Sequence, residues 1–276
     1  MVSSELIGGL GNQLHCLAAG VACAGTFNTT LELNVNSIKS KYNSSRIFEL
    51  GHFIKYNFLV PISVNSANKR SLILDGKRNA FDNRKQVVWI DSYEKVDVQI
   101  SKISDNSILR GQFLDYDWAR KAEEFGFPKD ILKYADFSLL KSEFTSGHIN
   151  IHVRLGDYML NWETFKFVPE EYYLKYINEF YSPGQKLYLF TDDPKNCKKI
   201  YPNLFKVSSL VNFNKDVKPL NIMALLSSGS AIIGSNSTFS TWASWFSNAN
   251  FISTPTPHLK NKWIDTLPRE WLRFQL

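Results

Sequence analysis

His148-Ile149-Asn150-Ile151-His152-Val153-Arg154-Leu155-Gly156-Asp157-Tyr158 alternates apolar and polar side chains as far as Leu155 and breaks at Gly156. Period-two alternation marks a strand, because successive side chains leave opposite faces of the pleat. Ile149, Ile151, Val153 and Leu155 therefore share one face, and His152 and Arg154 share the other. His152 and Arg154 also fall at the strand's C-terminal end, where open α/β sheets bind their ligands.

Downstream, Pro169 opens a helical pattern (PEEYYLKYINEFY) with acids in its first turn. Residues 186–191 (KLYLFT) form the next strand, 219–228 an apolar helix and 231–234 (AIIG) a buried strand, followed by a Ser/Asn-rich turn and a helix from about Ser240. Upstream, residues 2–7 are strand-like, Gly8-Gly9-Leu10-Gly11 breaks them, and 12–26 are helical and rich in small residues. Between 29 and 115, short apolar runs at 31–35, 71–74, 87–90 and 108–109 alternate with polar loops and helices, and 117–125 and 129–144 carry helical patterns. Strands alternating with helices predict parallel α/β units. Two such domains are expected, 1–145 and 146–276, with a C-terminal tail containing Trp263 and Trp271 packing back across them.

The chain's 276 residues suit two domains, and 44 % hydrophobic with 21 % charged residues fits a globular protein. The formal net charge is +6, yet no run of five basic residues occurs. Such a balance favours an anionic ligand or surface. No zinc finger, basic arm or RNA-binding signature accompanies it, which argues against nucleic acid as a partner. A nucleoside diphosphate fits the charge, and so does peripheral association with a membrane. The three cysteines, Cys16, Cys23 and Cys197, are too few and too uneven for a disulfide framework. Cys16 and Cys23 share a helical face as small core residues. No Cys/His cluster has metal-ligand spacing, so no metal is expected. Neither a leader pattern nor 18 consecutive apolar residues occurs, so a cytoplasmic protein without a membrane span is expected.

Four constellations could carry chemistry. GGLGNQ at 8–13 places glycines between strand and helix, where Gly11 lets backbone approach a ligand and the helix N-terminus favours an anion. Asn12 and Gln13 are expected in the first turn with their amides free; a tight turn capped by Asn12 is the structural alternative. In HVRLGDY at 152–158, Arg154 offers a forked, permanently charged donor suited to phosphate and Gly156 permits close approach, or Arg154 is simply paired with Asp157. In FTDD at 190–193, Asp192 and Asp193 could bind ribose, guanine or a metal, or cap the next helix. GSNSTFS at 234–240 gathers the hydroxyls and N–H groups of Asn236, Ser237 and Thr238 in one turn, which suits a phosphate without a metal.

These four motifs, in this order, resemble glycosyltransferase family 11, the α-1,2-fucosyltransferases, and are distantly similar to the α-1,6- and protein O-fucosyltransferases. GGLGNQ resembles the family's N-terminal motif, HVRLGDY its H-x-R-R-G-D-Y motif, FTDD its second motif and SNSTFSTWASW its S-N-S-S-F-S-W-W-A-W motif; GQFLDYDWA at 111–119 is a weaker match. The likeness spans nearly the whole chain. It implies a GT-B architecture of two Rossmann-like domains facing across a cleft, the first on the acceptor side and the second binding the donor. It further implies GDP-β-L-fucose as donor substrate, inversion at the anomeric carbon, an oligosaccharide or glycolipid acceptor attacked through a hydroxyl such as a galactoside 2-OH, and no cofactor or metal. By the match, Arg154 holds the β-phosphate, His152 lies near the guanosine, Ser237 and Thr238 bind diphosphate oxygens beside Asn236, and Asp192 and Asp193 belong to the donor site. Asn12 and Gly11 sit near the diphosphate or acceptor, and Asp157 joins Arg154 and Asn12 among the catalytic residues.

The sequence departs from the family at Leu155, where a second Arg is usual, at Thr241, where a Trp is common, at Asn221, where an acid is expected, and at His15, which replaces an aromatic or apolar residue. General-base candidates are Asp157, Asp115, Asp117 and His15. The competing expectations are another GDP-hexose, a protein acceptor, or a non-catalytic nucleotide- or sugar-binding homologue, the last motivated by Leu155 and Asn221.

Overall fold

The computed structural model describes residues 1–35, 38, 47–51, 53–55, 58–65, 95–111, 113–129, 147–160, 167–213 and 217–255, and the course of the backbone at 86–89, 258–259, 262–263 and 272–274. Two compact units divide the chain, Met1–Pro128 and Lys129–Leu276. The boundary expected at 145/146, the apolar run at 71–74, Trp271 and all but the first residue of the helix expected at 129–144 lie outside the described residues.

In the first unit β1 (Val2–Glu5), α1 (Leu10–Thr26), β2 (Leu31–Asn34), β3 (Ile62–Asn65), β4 (Gln86–Trp89), α2 (Val96–Ser101), β5 (Ser107–Arg110) and α3 (Asp117–Glu123) follow in order. The sheet runs β3-β2-β1-β5-β4 with every pair parallel. All four residues of β1 are buried, as befits its central place. Helix α1 begins two residues before its expected start, capped by the extended backbone of Gly9 rather than by Asn12. Gly8 makes the turn with φ +67°, and a Cβ there would meet Asn12 Nδ2 at 2.6 Å. The small residues of α1 let it bury nearly all round against β1, β2 and α3. Cys16 and Cys23 are buried free thiols on it, and burial pushes the Cys16 thiol up to about 12.

The second unit contains β6 (Ile149–Val153), α4 (Glu170–Phe180), β7 (Leu187–Thr191), α5 (Pro194–Ile200), α6 (Pro202–Val207), β8 (Ser209–Leu210), α7 (Pro219–Ser227), β9 (Ala231–Ile233), α8 (Thr238–Trp245) and β10 (Phe251–Pro255). A two-stranded hairpin, β11 (His258–Leu259) with β12 (Lys262–Trp263), and β13 (Leu272–Phe274) complete it. The main sheet runs β13-β10-β9-β6-β7-β8, all parallel. With the six strands of this sheet numbered in chain order, that order is 6-5-4-1-2-3, the doubly wound dinucleotide-binding arrangement, and its direction reverses between β6 and β9. The C-terminal tail returns to this sheet, where β13 pairs with β10.

Strand β6 is buried on both faces, as a central parallel strand must be. Ile149, Ile151, Val153 and Leu155 are all fully buried against Tyr172, Tyr173 and Tyr176 of α4. Each such aliphatic side chain contributes about 1.5–3 kcal/mol by leaving water. On the opposite face Asn150 donates from Nδ2 to the carbonyls of Leu225 and Leu226, 2.9 Å each, and so satisfies the last turn of α7. No described helix is long and apolar enough to cross a membrane.

Candidate active site

The reversal between β6 and β9 places two sequence-distant turns side by side. Arg154 leaves the end of β6 with its guanidinium between two carboxylates: Nη2 lies 2.7 Å from Asp157 Oδ1 and Nη1 lies 2.6 Å from Asp192 Oδ2. The local pairing with Asp157 left open by the sequence is present, and Asp192 at the end of β7 adds a second partner. Asp192 Oδ1 also accepts the Leu155 backbone N–H at 2.9 Å. Below the guanidinium lies the Tyr158 ring, 5.7 Å from centroid to Cζ, and the Tyr158 hydroxyl donates to the Asn236 carbonyl at 3.2 Å. Tyr158 thus joins the 3-10 turn after β6 to the turn after β9, and burial pushes its phenol up to about 12.

His152 is buried on the same face of β6 as Asn150, its Nδ1 3.1 Å from the Ser235 hydroxyl and its ring 5.5 Å from that of Phe239. Burial, aided by the nearby Arg154 charge, lowers its pKa to about 3, so the imidazole is neutral at physiological pH. The turn at 235–241 is held by its own hydroxyls: Ser240 Oγ donates to the carbonyls of Ser235 and Ser237, and Thr241 Oγ1 to those of Ser237 and Thr238. Ser237 is the N-cap of α8 and accepts the Phe239 N–H at 3.2 Å. A hydroxyl that accepts one bond still carries a proton to donate. The first turn of α8, beside Arg154 and Tyr158 through Asn236, is therefore an arrangement that can receive an anion.

Asp193 is engaged differently from Asp192. Its two oxygens accept Asn196 N at 3.1 Å and Asn196 Nδ2 at 2.6 Å, which is the helix-cap alternative for that position. Gly156 also has a reason other than ligand approach, because a Cβ there would lie 2.2 Å from Asp192 Oδ2. Arg154, Asp157, Asp192, His152, Asn236 and Ser237 are thus brought together in the second unit. Tyr158 and Ser235 also belong to this site, and both lie within the motifs at 152–158 and 234–240.

In the first unit the expectation of free amides at the GGLGNQ turn is corrected. Gln13 is fully buried, donates from Nε2 to the carbonyls of Gly8 and Ile47 at 3.0 and 2.8 Å, and accepts the Glu49 N–H at 3.0 Å. Asn12 is partnered as well. Gly11 is buried within α1. Of the candidate bases, His15 is buried in edge contact with Tyr116, and burial lowers its pKa to about 3. Asp117 pairs with Arg120 at 3.2 Å, and Asp115 Oδ1 accepts the Asp117 N–H. A half-buried pair that the sequence did not announce, Glu5 Oε1 with Arg110 Nη2 at 2.7 Å, joins the C-terminal ends of neighbouring β1 and β5.

Residues 129–265 match the model of glycosyl transferase family 11. That span contains three of the four motifs, and GGLGNQ precedes it. Over the full length of the chain and 99 % of the relative, the sequence is 28 % identical to the alpha-1,2-colitosyltransferase of Escherichia coli. Among solved structures, the ADP-heptose lps heptosyltransferase II of E. coli has a TM-score of 0.53 at 10 % identity, covering the whole chain and 90 % of that protein. A family 9 glycosyl transferase of Veillonella parvula scores 0.52 at 10 % identity, covering the whole chain and 86 % of that protein. The two structural likenesses speak for the fold, an α/β chain of the GT-B-like class with two parallel-sheet units. The chain is a glycosyltransferase whose residues 129–265 match glycosyl transferase family 11.

Proposed function

We propose that the protein transfers L-fucose from GDP-β-L-fucose, with inversion, to a hydroxyl of a glycan acceptor such as a galactoside 2-OH. The observation that carries this reading is Arg154 at the end of β6 beside the Ser235–Thr238 turn after β9. Cleavage of the sugar–phosphate bond leaves charge on the diphosphate, and preorganised donors aimed at that charge are the main source of rate. In this reading Arg154 meets the β-phosphate, Ser237 and Thr238 and the first turn of α8 meet the remaining phosphate oxygens, and His152 and Asn236 line the nucleoside side. Asn12, in the first turn of α1, is assigned to acceptor binding in the first unit. Asp193 is assigned to the same donor region through its place at the end of β7.

Neutral His152 suits the role, because a second positive charge beside Arg154 is not needed and would repel it. His15 is a poor general base, since its protonated form is disfavoured by burial. Asp157, hydrogen-bonded to Arg154, is the base candidate that lies in the second unit. An oxocarbenium-like transition state tolerates a weak base.

A second donor, the GDP derivative of colitose, is favoured by the likeness to the colitosyltransferase. Purified protein incubated with each GDP-sugar and a panel of galactoside-terminated oligosaccharides, with products read by mass, separates the two. Transfer from GDP-fucose supports the first reading and transfer from GDP-colitose alone replaces it. No transfer, no donor hydrolysis and no GDP binding would sink both.

A further inference from the structure

We infer that Asp192 is a positioning residue, fixing the Arg154 guanidinium and the 155–156 turn, and does not itself contact the donor; the inference rests on the reading of Arg154 as the diphosphate ligand. Strands β6 and β7 are paired with Val153 opposite Thr191. One residue further on, Arg154 and Asp192 come opposite each other, so their ion pair extends the sheet register past the last ladder residue. Both carboxylate oxygens are engaged within the protein, Oδ1 by the Leu155 N–H and Oδ2 by Arg154 Nη1. The next residue, Asp193, is locked into the cap of α5, which fixes the backbone that carries Asp192.

Gly156 completes the device. A Cβ at 156 would meet Asp192 Oδ2 at 2.2 Å and Cγ at 3.1 Å, so the carboxylate occupies the space a side chain would take. Glycine at this position therefore admits Asp192 and not a ligand. Held on one side, Arg154 keeps its remaining N–H groups in a set direction for a phosphate and need not be ordered during binding. Asp157 is a less restrained partner, sitting on a short 3-10 turn with its side chain 41 % exposed against 28 % for Asp192.

The test is one double-mutant cycle, with Gly156→Ala beside it, read by GDP affinity and by kcat with the donor established for the wild type. Asp192→Asn keeps an acceptor for the Leu155 N–H but sets an NH2 group against Arg154. It should weaken GDP binding and lower kcat, by about a hundredfold for an ångström-scale misplacement of the guanidinium, while the acceptor KM stays unchanged. Gly156→Ala, which displaces the carboxylate from the other side, should give the same pattern. In an Arg154→Gln background, Asp192→Asn should cost nothing further, because coupled residues are not additive. A full additional loss of GDP affinity in that background means that Asp192 touches the donor directly and overturns the inference. Wild-type behaviour of Asp192→Asn overturns it too. Thermal melts of the same four proteins without ligand provide a readout that does not depend on the donor: the Asp192→Asn destabilisation should vanish once Arg154 is Gln, and its persistence also counts against the pairing. A wild type that binds no GDP would defeat the functional reading and leave these melts to decide the positioning role.

Discussion

Nδ1 of His152 lies 3.1 Å from the hydroxyl of Ser235 across 83 residues of sequence, and this contact ties the end of β6 to the turn after β9. The imidazole is held neutral there by burial and by Arg154, and His15 is held neutral by burial in the first unit.

Acid stability should follow from these two rings. Both have folded pKa values near 3 against 6.5 for the free side chain. Above pH 6.5 neither the folded nor the unfolded chain binds the protons, and the stability is fully present. Between pH 6.5 and 3 only the unfolded chain binds them, so stability falls as the pH drops. The slope is about 1.4 kcal/mol per pH unit for each histidine. Denaturant melts between pH 7 and 5 should show the decline, and His15→Gln should reduce the slope by one proton. A flat profile would show that neither ring is excluded from protonation.

Arg154→Ala should abolish transfer and leave the fold in place. Arg154→Lys should be severely impaired as well, since a point charge cannot meet a phosphate and the Asp192 carboxylate in one plane. Loss of one preorganised donor costs about 10²–10³ in rate. Near-normal turnover by the Lys variant would remove the phosphate assignment.

Leu155 should prove structural. Its side chain is fully buried with Ile149, Ile151 and Val153 against the α4 tyrosines, on the face away from His152. Leu155→Arg should destabilise by about 3–5 kcal/mol, the range for an uncompensated buried charge. Thermal melts and initial rates check this. A variant that melts normally and works more than about tenfold faster, 1.4 kcal/mol of barrier, would mark Leu155 as a catalytic deficit.

Turnover should survive EDTA if, as proposed, Arg154 and the α8 N-terminus supply the charge that a metal would otherwise provide. Complete loss on chelation, restored by Mn²⁺ or Mg²⁺, would assign Asp192 and Asp193 to a metal.

Gln13→Ala should cost about 1.5–4.5 kcal/mol, as three hydrogen bonds worth roughly 0.5–1.5 kcal/mol each disappear. Gln13→Glu should be comparably destabilised, because a carboxylate cannot donate to the Gly8 and Ile47 carbonyls. Urea denaturation of both variants reads the loss, and wild-type stability in both would show that water replaces the amide.

The alternation at 148–155 was legible because a half-polar strand announces its two faces residue by residue, and the fully buried Leu155 bears that pattern out. The motifs at 152–158 and 235–240 were legible as turns for the same local reason. Their adjacency was not, since the pairing of β6 with β9 is a long-range choice that no local pattern encodes. The Arg154–Asp192 pair follows only once β6 and β7 are in register, so in the sequence Asp192 and Asp193 are two equivalent acceptors. The burial of Gln13 is not legible locally, because its partners at Ile47 and Glu49 lie more than 30 residues away. Helices α5 and α6 are seven and six residues long, too short for a periodic signal.

The neighbouring of β6 and β9 has a kinetic consequence. During synthesis Arg154 emerges long before Ser235, and the intervening β7, α5, α6, β8 and α7 are made before β9 can dock on the free edge of β6. Closing so long a loop makes this contact slow relative to local structure. Until it closes, β6 presents an unpaired, apolar parallel edge to its surroundings, which is the form of this chain most exposed to aggregation.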